Sequence, residues 1–128
     1  MDSSAVVAIF ENEPEEVVFS EVIASTSGLV MSAVNVHETA TVLRARRGRE
    51  HEEDFWRFLK VSTIKVAAFK EKQARLAGEA FNRYGKGIHS KARLNLCDCA
   101  AYALAKSLSV PLLFNGDDFI HADVERWR

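Results

Sequence analysis

Carboxylates at four separated places in this chain could gather into a site for a divalent cation. Asp2 opens Asp2-Ser3-Ser4-Ala5, Glu38 lies in Asn35-Val36-His37-Glu38, and Asp98 opens the small, apolar run that follows it to Ala105. Asp117 and Asp118, in Asn115-Gly116-Asp117-Asp118, compete for the fourth place. Carboxylates brought together repel one another and are tolerated where a positive charge neutralises them. Hard divalent cations such as Mg²⁺ supply that charge through oxygen ligands, and phosphate-ester cleavage is a chemistry such sites perform. Asp98 carries the sharpest signal. An ionised carboxylate among alanines and cysteines is costly unless it is paired or metal-bound, and a place in the first turns of a helix sets it near the positive end of the dipole. Asn35 and Glu38, three apart, share one helix face. Asp117 and Asp118 follow an apolar segment at the strand end where open α/β sheets hold ligands, although the same residues are good turn and cap chemistry.

Elements that would position these groups can be read along the chain. Ser3 or Ser4 suits the cap of a short helix over residues 5–10. Pro14, at a first helical position and followed by Glu15 and Glu16, starts a second helix that Gly28 breaks. Leu29-Val30-Met31 reads as a short strand, and Ser32 caps a helix running to about Arg47 and stopped by Gly48. Val36, Ala40 and Leu43 give that helix a core-facing stripe. A helix over 50–60 carries Phe55, Trp56 and Phe58, a strand spans 63–66, and a helix spans 70–84. A basic loop through His89, Lys91 and Arg93 leads to an Ala-rich helix over 94–108. Val110-Pro111-Leu112-Leu113-Phe114 is a continuous apolar run of the kind buried in a parallel sheet. Alternating α and β elements predict a three-layer α/β/α sandwich around a central, mainly parallel sheet.

Composition bounds the rest. A chain of 128 residues with 48% apolar content fits one domain with one core. A net charge of −1 gives no global basic field for nucleic acid, but Arg44, Arg46, Arg47 and Arg49, with Lys86, Lys91 and Arg93, could form a local one. Cys97 and Cys99 lie two apart on different helix faces, so they read as small core residues of a reducing compartment rather than a disulfide or metal pair. No signal peptide and no long apolar run is present, which predicts a cytoplasmic protein without membrane contact.

The chain resembles the PIN-domain ribonucleases, and within them the VapC-type toxins of bacterial toxin–antitoxin pairs. The likeness spans essentially the whole chain. It rests on residues 2–9, on Asn35 with Glu38, on residues 98–105 (Asp-Cys-Ala-Ala-Tyr-Ala-Leu-Ala) and on residues 111–119 (Pro-Leu-Leu-Phe-Asn-Gly-Asp-Asp-Phe), in the family's order and spacing. The resemblance implies a single PIN domain and a Mg²⁺- or Mn²⁺-dependent endoribonuclease. Asp2 and Asp98 would be the main metal ligands. Glu38 and a final aspartate, with Asp117 favoured over Asp118 as the one closer to the strand end, would hold metal-bound water or activate the attacking one. Ser4 and Asn35 would support the first carboxylate and its waters, and no organic cofactor is implied. An RNA substrate, a homodimer and a VapB-type antitoxin that blocks the site also follow, with Phe55, Trp56 and Phe58 either core or part of a partner groove.

One departure from the family stands out: only Met1 precedes Asp2, where several apolar residues normally form a central first strand. The expectation is a domain lacking most of that strand, with a cationic amino terminus able to compete with the metal. Two rival classes share some of these features. A phospho-acceptor receiver domain also gathers acids at strand ends, but needs an acidic pair after its first strand and a late lysine where this chain has Asn115-Gly116-Asp117-Asp118. A PIN-like module that only binds its partner would keep the fold without cleavage.

Overall fold

The computed structural model describes residues 1–127. Its elements are α1 (Ser3–Phe10), α2 (Glu16–Ser25), β1 (Val30–Ser32), α3 (Ala33–Arg47), α4 (Arg49–Val61), β2 (Lys65–Ala67), α5 (Glu71–Tyr84) and α6 (Leu96–Leu108). Helices pack around a parallel sheet, as the α/β pattern predicts. β1 and β2 pair in parallel with Met31 opposite Val66.

Helix ends show why the chain folds locally as it does. α1 is capped by Asp2 rather than by Ser3 or Ser4: Asp2 is extended, and its Oδ2 accepts the Ser4 N–H at 3.0 Å. Pro14 sits in the turn before α2 instead of inside it. Ser32 caps α3 through its Oγ, and Gly48, at φ +86°, stops that helix and starts α4. A side chain there would be strained in the left-handed region. α6 starts later than the apolar pattern suggests. Leu94 instead bridges Gly85, and Asn95 with Asp98 forms a reciprocal capping box.

The run 110–114 is not a regular strand. Its one bridge is Leu112 with Arg126, where the Leu112 N–H donates to the Glu125 carbonyl at 2.8 Å and the Trp127 N–H to the Leu112 carbonyl at 3.0 Å. Near its other edge, among the described residues, lie Met1 and Asp2. The Asp2 N–H donates to the Leu113 carbonyl and the Met1 amino group to the Val30 carbonyl, each at 2.9 Å. A ladder needs partners along its length, and both edges of this run offer too few. Behind Met1 opens a cavity of about 250 Å³, walled by Leu29, Val30, Leu104, Leu108, Leu113 and Trp127 among others.

The core has two parts. Val6, Phe19, Met31, Leu43 and Phe55 fill the space among the first four helices and β1. Ala80, Tyr84, Ala101, Tyr102, Leu112, Phe114 and Phe119 fill the space beneath α5 and α6. Phe55 is fully buried and Phe58 packs edge-on against Phe10, so both are core, whereas Trp56 is half exposed. Truncating a side chain as deep as Leu43 would cost about 2–5 kcal/mol. Among the described residues no helix is long and apolar enough to cross a membrane.

Candidate metal centre

Three helix starts and one loop bring the acids together. Asp2 precedes α1, Glu38 lies one turn into α3, and Asp98 lies in the first turn of α6. Asp2 is 2% exposed and Asp98 7% exposed. Asn35 fastens two of these starts together, because its Nδ2 donates to the Cys97 carbonyl at 2.9 Å. Ser3 donates its hydroxyl to Glu38 Oε1, tying the start of α1 to α3. Sequence reasoning had placed Ser4 and Asn35 around the first carboxylate. Ser4 does touch it through its N–H, but its Oγ accepts the Asn115 N–H at 2.9 Å. Asn35 braces α6 through its Nδ2.

The acids act on one another through their charges. Burial, then the charge of Asp2, then Asp118 and Glu38 push the Asp98 carboxyl up to about 7, against the opposing bond from the Asn95 N–H. Burial raises Asp2 as well; Glu38 adds to the rise, while bonds from Ser4 and the charge of the amino group oppose it. Asp118, rather than the Asp117 favoured from sequence, is the member of the loop pair whose charge acts on Asp98. Both loop acids are exposed. No lysine or arginine forms an ion pair with Asp2, Glu38, Asp98, Asp117 or Asp118 among the described residues.

The amino terminus behaves differently from expectation. Burial lowers it to about 6, against the pull of Asp2, so at neutral pH it is largely uncharged and competes little for the site. Cys97 is half-buried beside the acids. Burial and the neighbouring Glu38 push its thiol up to about 12, which keeps it protonated and poorly nucleophilic. Cys97 and Cys99 are both free.

The donor set fits a hard, hydrated cation. Asp2 Oδ1 and Asn35 Oδ1 are buried with no hydrogen-bond partner among the described residues, which is expensive unless something else satisfies them. Among the described residues no three His, Cys, Asp or Glu side chains stand close enough to enclose a metal by themselves. Mg²⁺ does not need such a cage: it is commonly bound by one or two carboxylates and keeps several waters. Asp2 and Asp98 are the two buried carboxylates, and the charges of Glu38 and Asp118 act on Asp98 as well.

Basic residues divide into two groups. Arg44, Arg47 and Arg49 pair with Glu52, Glu11 and Glu53. Lys86, Lys91 and Arg93 are exposed in the loop that enters α6 and form no ion pair among the described residues. Sequence reasoning missed Ser3, Asn95 and Asn115. Asn95 was legible as the first residue of an Asn-x-x-Asp cap, whereas Ser3 and Asn115 carry no signal until the elements are assembled.

The PIN domain family model matches residues 1–125. Ribonuclease VapC42 of Mycobacterium tuberculosis is 40% identical over 124 residues, covering 97% of this chain and 95% of the relative. Ribonuclease VapC of Mycolicibacterium smegmatis is 40% identical over 126 residues, with 97% and 95% covered. The crystal structure of M. tuberculosis VapC20, titled a sarcin–ricin loop cleaving toxin, superposes with a TM-score of 0.81 at 18% identity, covering 99% of this chain and 96% of that one. At that identity the superposition speaks for the fold alone.

Proposed function

This chain belongs to the PIN-domain family, among its VapC ribonucleases, and on that premise we propose that it is a Mg²⁺- or Mn²⁺-dependent endoribonuclease toxin. The observation that carries this reading is Asp98: a carboxylate buried near the buried Asp2, pushed up to about 7 by burial and by three other acids, with no lysine or arginine ion-paired to it among the described residues. The Asn95 N–H caps it but does not neutralise its charge. The raised value marks a place kept ready for a cation.

Asp2 and Asp98 hold the metal. When bound, the ion lowers the pKa of a water and offsets the charge that builds on the phosphoryl group. Glu38, fixed at Oε1 by Ser3, has Oε2 left to take a proton from the attacking water. Asp118 takes the fourth place and orients water at the open side. Lys86, Lys91 and Arg93 draw RNA phosphates toward the acids along the loop into α6, a contribution that weakens with salt.

Partners and compartment belong to the same proposal. Val17 and Val18 on α2 and Trp56 and Val61 on α4 are exposed apolar residues, a surface suited to a VapB-type antitoxin or a second copy of the chain. Two free cysteines accord with a reducing cytoplasm. Cleavage of total bacterial RNA with Mg²⁺ and with chelator tests the reading. Cleavage is expected with metal and absent with chelator, weakened by Asp118→Asn more than by Asp117→Asn. Metal-independent cleavage, or none under either condition, would contradict it.

A further inference from the structure

The loop that carries Asp118 is pinned at both ends, at its near end by residues far from it in sequence. At its far end Phe119, 2% exposed, stacks on Phe114 with ring centroids 4.9 Å apart. At its near end Asn115 makes two hydrogen bonds. Its N–H donates to Ser4 Oγ at 2.9 Å, and its side-chain Nδ2 donates to Glu13 Oε2 at 2.8 Å. Ser4 in turn donates its N–H to Asp2 Oδ2. A continuous path therefore runs from Glu13 through Asn115 and Ser4 to Asp2, tying the start of the loop that leads to Asp118 to a site acid at the other end of the chain.

Glu13 is well mounted for this task. Its N–H donates to the Ala8 carbonyl at 2.9 Å at the end of α1, and its carbonyl accepts the Glu16 N–H at 2.9 Å at the start of α2. Pro14 follows directly and restricts the backbone further. The side chain is half-buried, and its Oε2 is committed to Asn115. Gly116, at φ +85°, lets the chain turn sharply straight after the anchored residue. Without the Glu13 bond, Asn115 would be held by its backbone alone and the short loop to Asp118 would gain freedom.

We infer that Glu13 is a positioning residue that fixes the Asn115–Asp118 loop, and through it the fourth carboxylate, without touching the reacting atoms. The inference rests on the assignment of Asp118 to the fourth place. Misplacing a participating group by about 1 Å can cost up to ~100-fold in rate.

Glu13→Ala, Glu13→Gln and Asp118→Asn test it, each read by the initial rate of cleavage of total bacterial RNA at saturating Mn²⁺, by Mn²⁺ affinity measured calorimetrically without RNA, and by thermal melting. Asp118→Asn is expected to lower the rate. Glu13→Ala is expected to lower it roughly tenfold or more and to weaken Mn²⁺ binding less. Glu13→Gln keeps an acceptor oxygen for Asn115 and should recover to within about threefold of the unaltered protein, a smaller loss than misplacement causes. Purely structural damage would instead lower the melting temperature and leave the rate per folded molecule unchanged. A fall with Asp118→Asn but none with Glu13→Ala overturns the positioning role, as does equal loss in Ala and Gln variants of unchanged melting temperature. An unchanged rate in Asp118→Asn refutes the assignment of the fourth acid itself, a separate failure.

Discussion

Two aspartates on or against the same helix show how one chain treats a carboxylate in opposite ways. Asp98, in the first turn of α6, is buried among other acids and pushed up to about 7. Asp123, packed against the later turns of α6, accepts the Tyr102 hydroxyl and sits within reach of Lys106 at 3.4 Å and Arg83 at 3.8 Å. The Tyr102 bond foremost, and then Lys106, hold its carboxyl below the usual range against the effect of burial. Asp123 is satisfied by the protein, and its work is to hold the C-terminal segment against α5 and α6. Asp98 accepts the Asn95 N–H but has no cationic partner among the described residues, so its buried charge costs stability in the metal-free fold, a cost that a bound cation would offset.

The strongest way to break the contrast is Asp98→Asn. Asparagine keeps an acceptor for the Asn95 N–H, so the cap on α6 survives. Cleavage should fall by roughly 10²–10³-fold, the scale on which losing one electrostatic stabiliser acts, while the fold stays as stable or gains. A pH series sharpens this. Because the folded-state value of Asp98 is raised from 3.8 to about 7, the stability it contributes is present below about 4 and lost as pH rises to about 7. Metal-free protein should therefore weaken across that window by up to about 1.4 kcal/mol per pH unit, and Asp98→Asn should flatten the slope. Asp123 has the opposite sign: its contribution is present above about 4 and lost as pH falls below it. Asp2, also raised by burial, keeps part of the slope in Asp98→Asn; a slope undiminished by the substitution would remove Asp98 as a source.

A smaller effect is expected at the other side of the site. Apolar residues fused ahead of Met1 would meet the Leu29–Val30 and Pro111–Leu113 edges and fill the 250 Å³ cavity between them. Such an extension should raise the denaturant midpoint and replace the buried amino group, at about 6, with an uncharged peptide N–H beside Asp2. An unchanged midpoint would mean that the two edges do not accept a strand.

The smallest effect belongs to Asp123→Asn. Its side chain is 45% exposed, so loss of the charged bond from Tyr102 should cost only about 1 kcal/mol of stability. Cleavage should stay near that of the unaltered protein. A cleavage loss as large as that of Asp98→Asn would erase the distinction between the two acids.

Much of this was legible in the sequence because it depends on local pattern. The α3 stripe of Val36, Ala40 and Leu43, its Ser32 cap and its Gly48 stop all appear in the fold. Asp98 was legible because an ionised carboxylate in a run of small apolar residues is costly unless it is paired or metal-bound. What could not be read depends on distant partners. The 110–114 run reads as a strand, yet its pairing is set by Met1, Asp2, Glu125 and Trp127. The contest between Asp117 and Asp118 turns on a loop whose shape is fixed by Ser4, Glu13 and Phe114. The amino terminus looked cationic because burial is invisible in a sequence.

Calorimetric titration of the RNA-free protein with Mn²⁺ at pH 7, beside Asp98→Asn, tests the central claim most directly. One ion should bind the unaltered protein and release protons, since the metal drives the Asp98 carboxyl to its ionised form. Binding to Asp98→Asn should be at least about tenfold weaker and release fewer protons. Equal affinity and equal proton release in the two proteins would show that the acids around Asp98 are not a cation site.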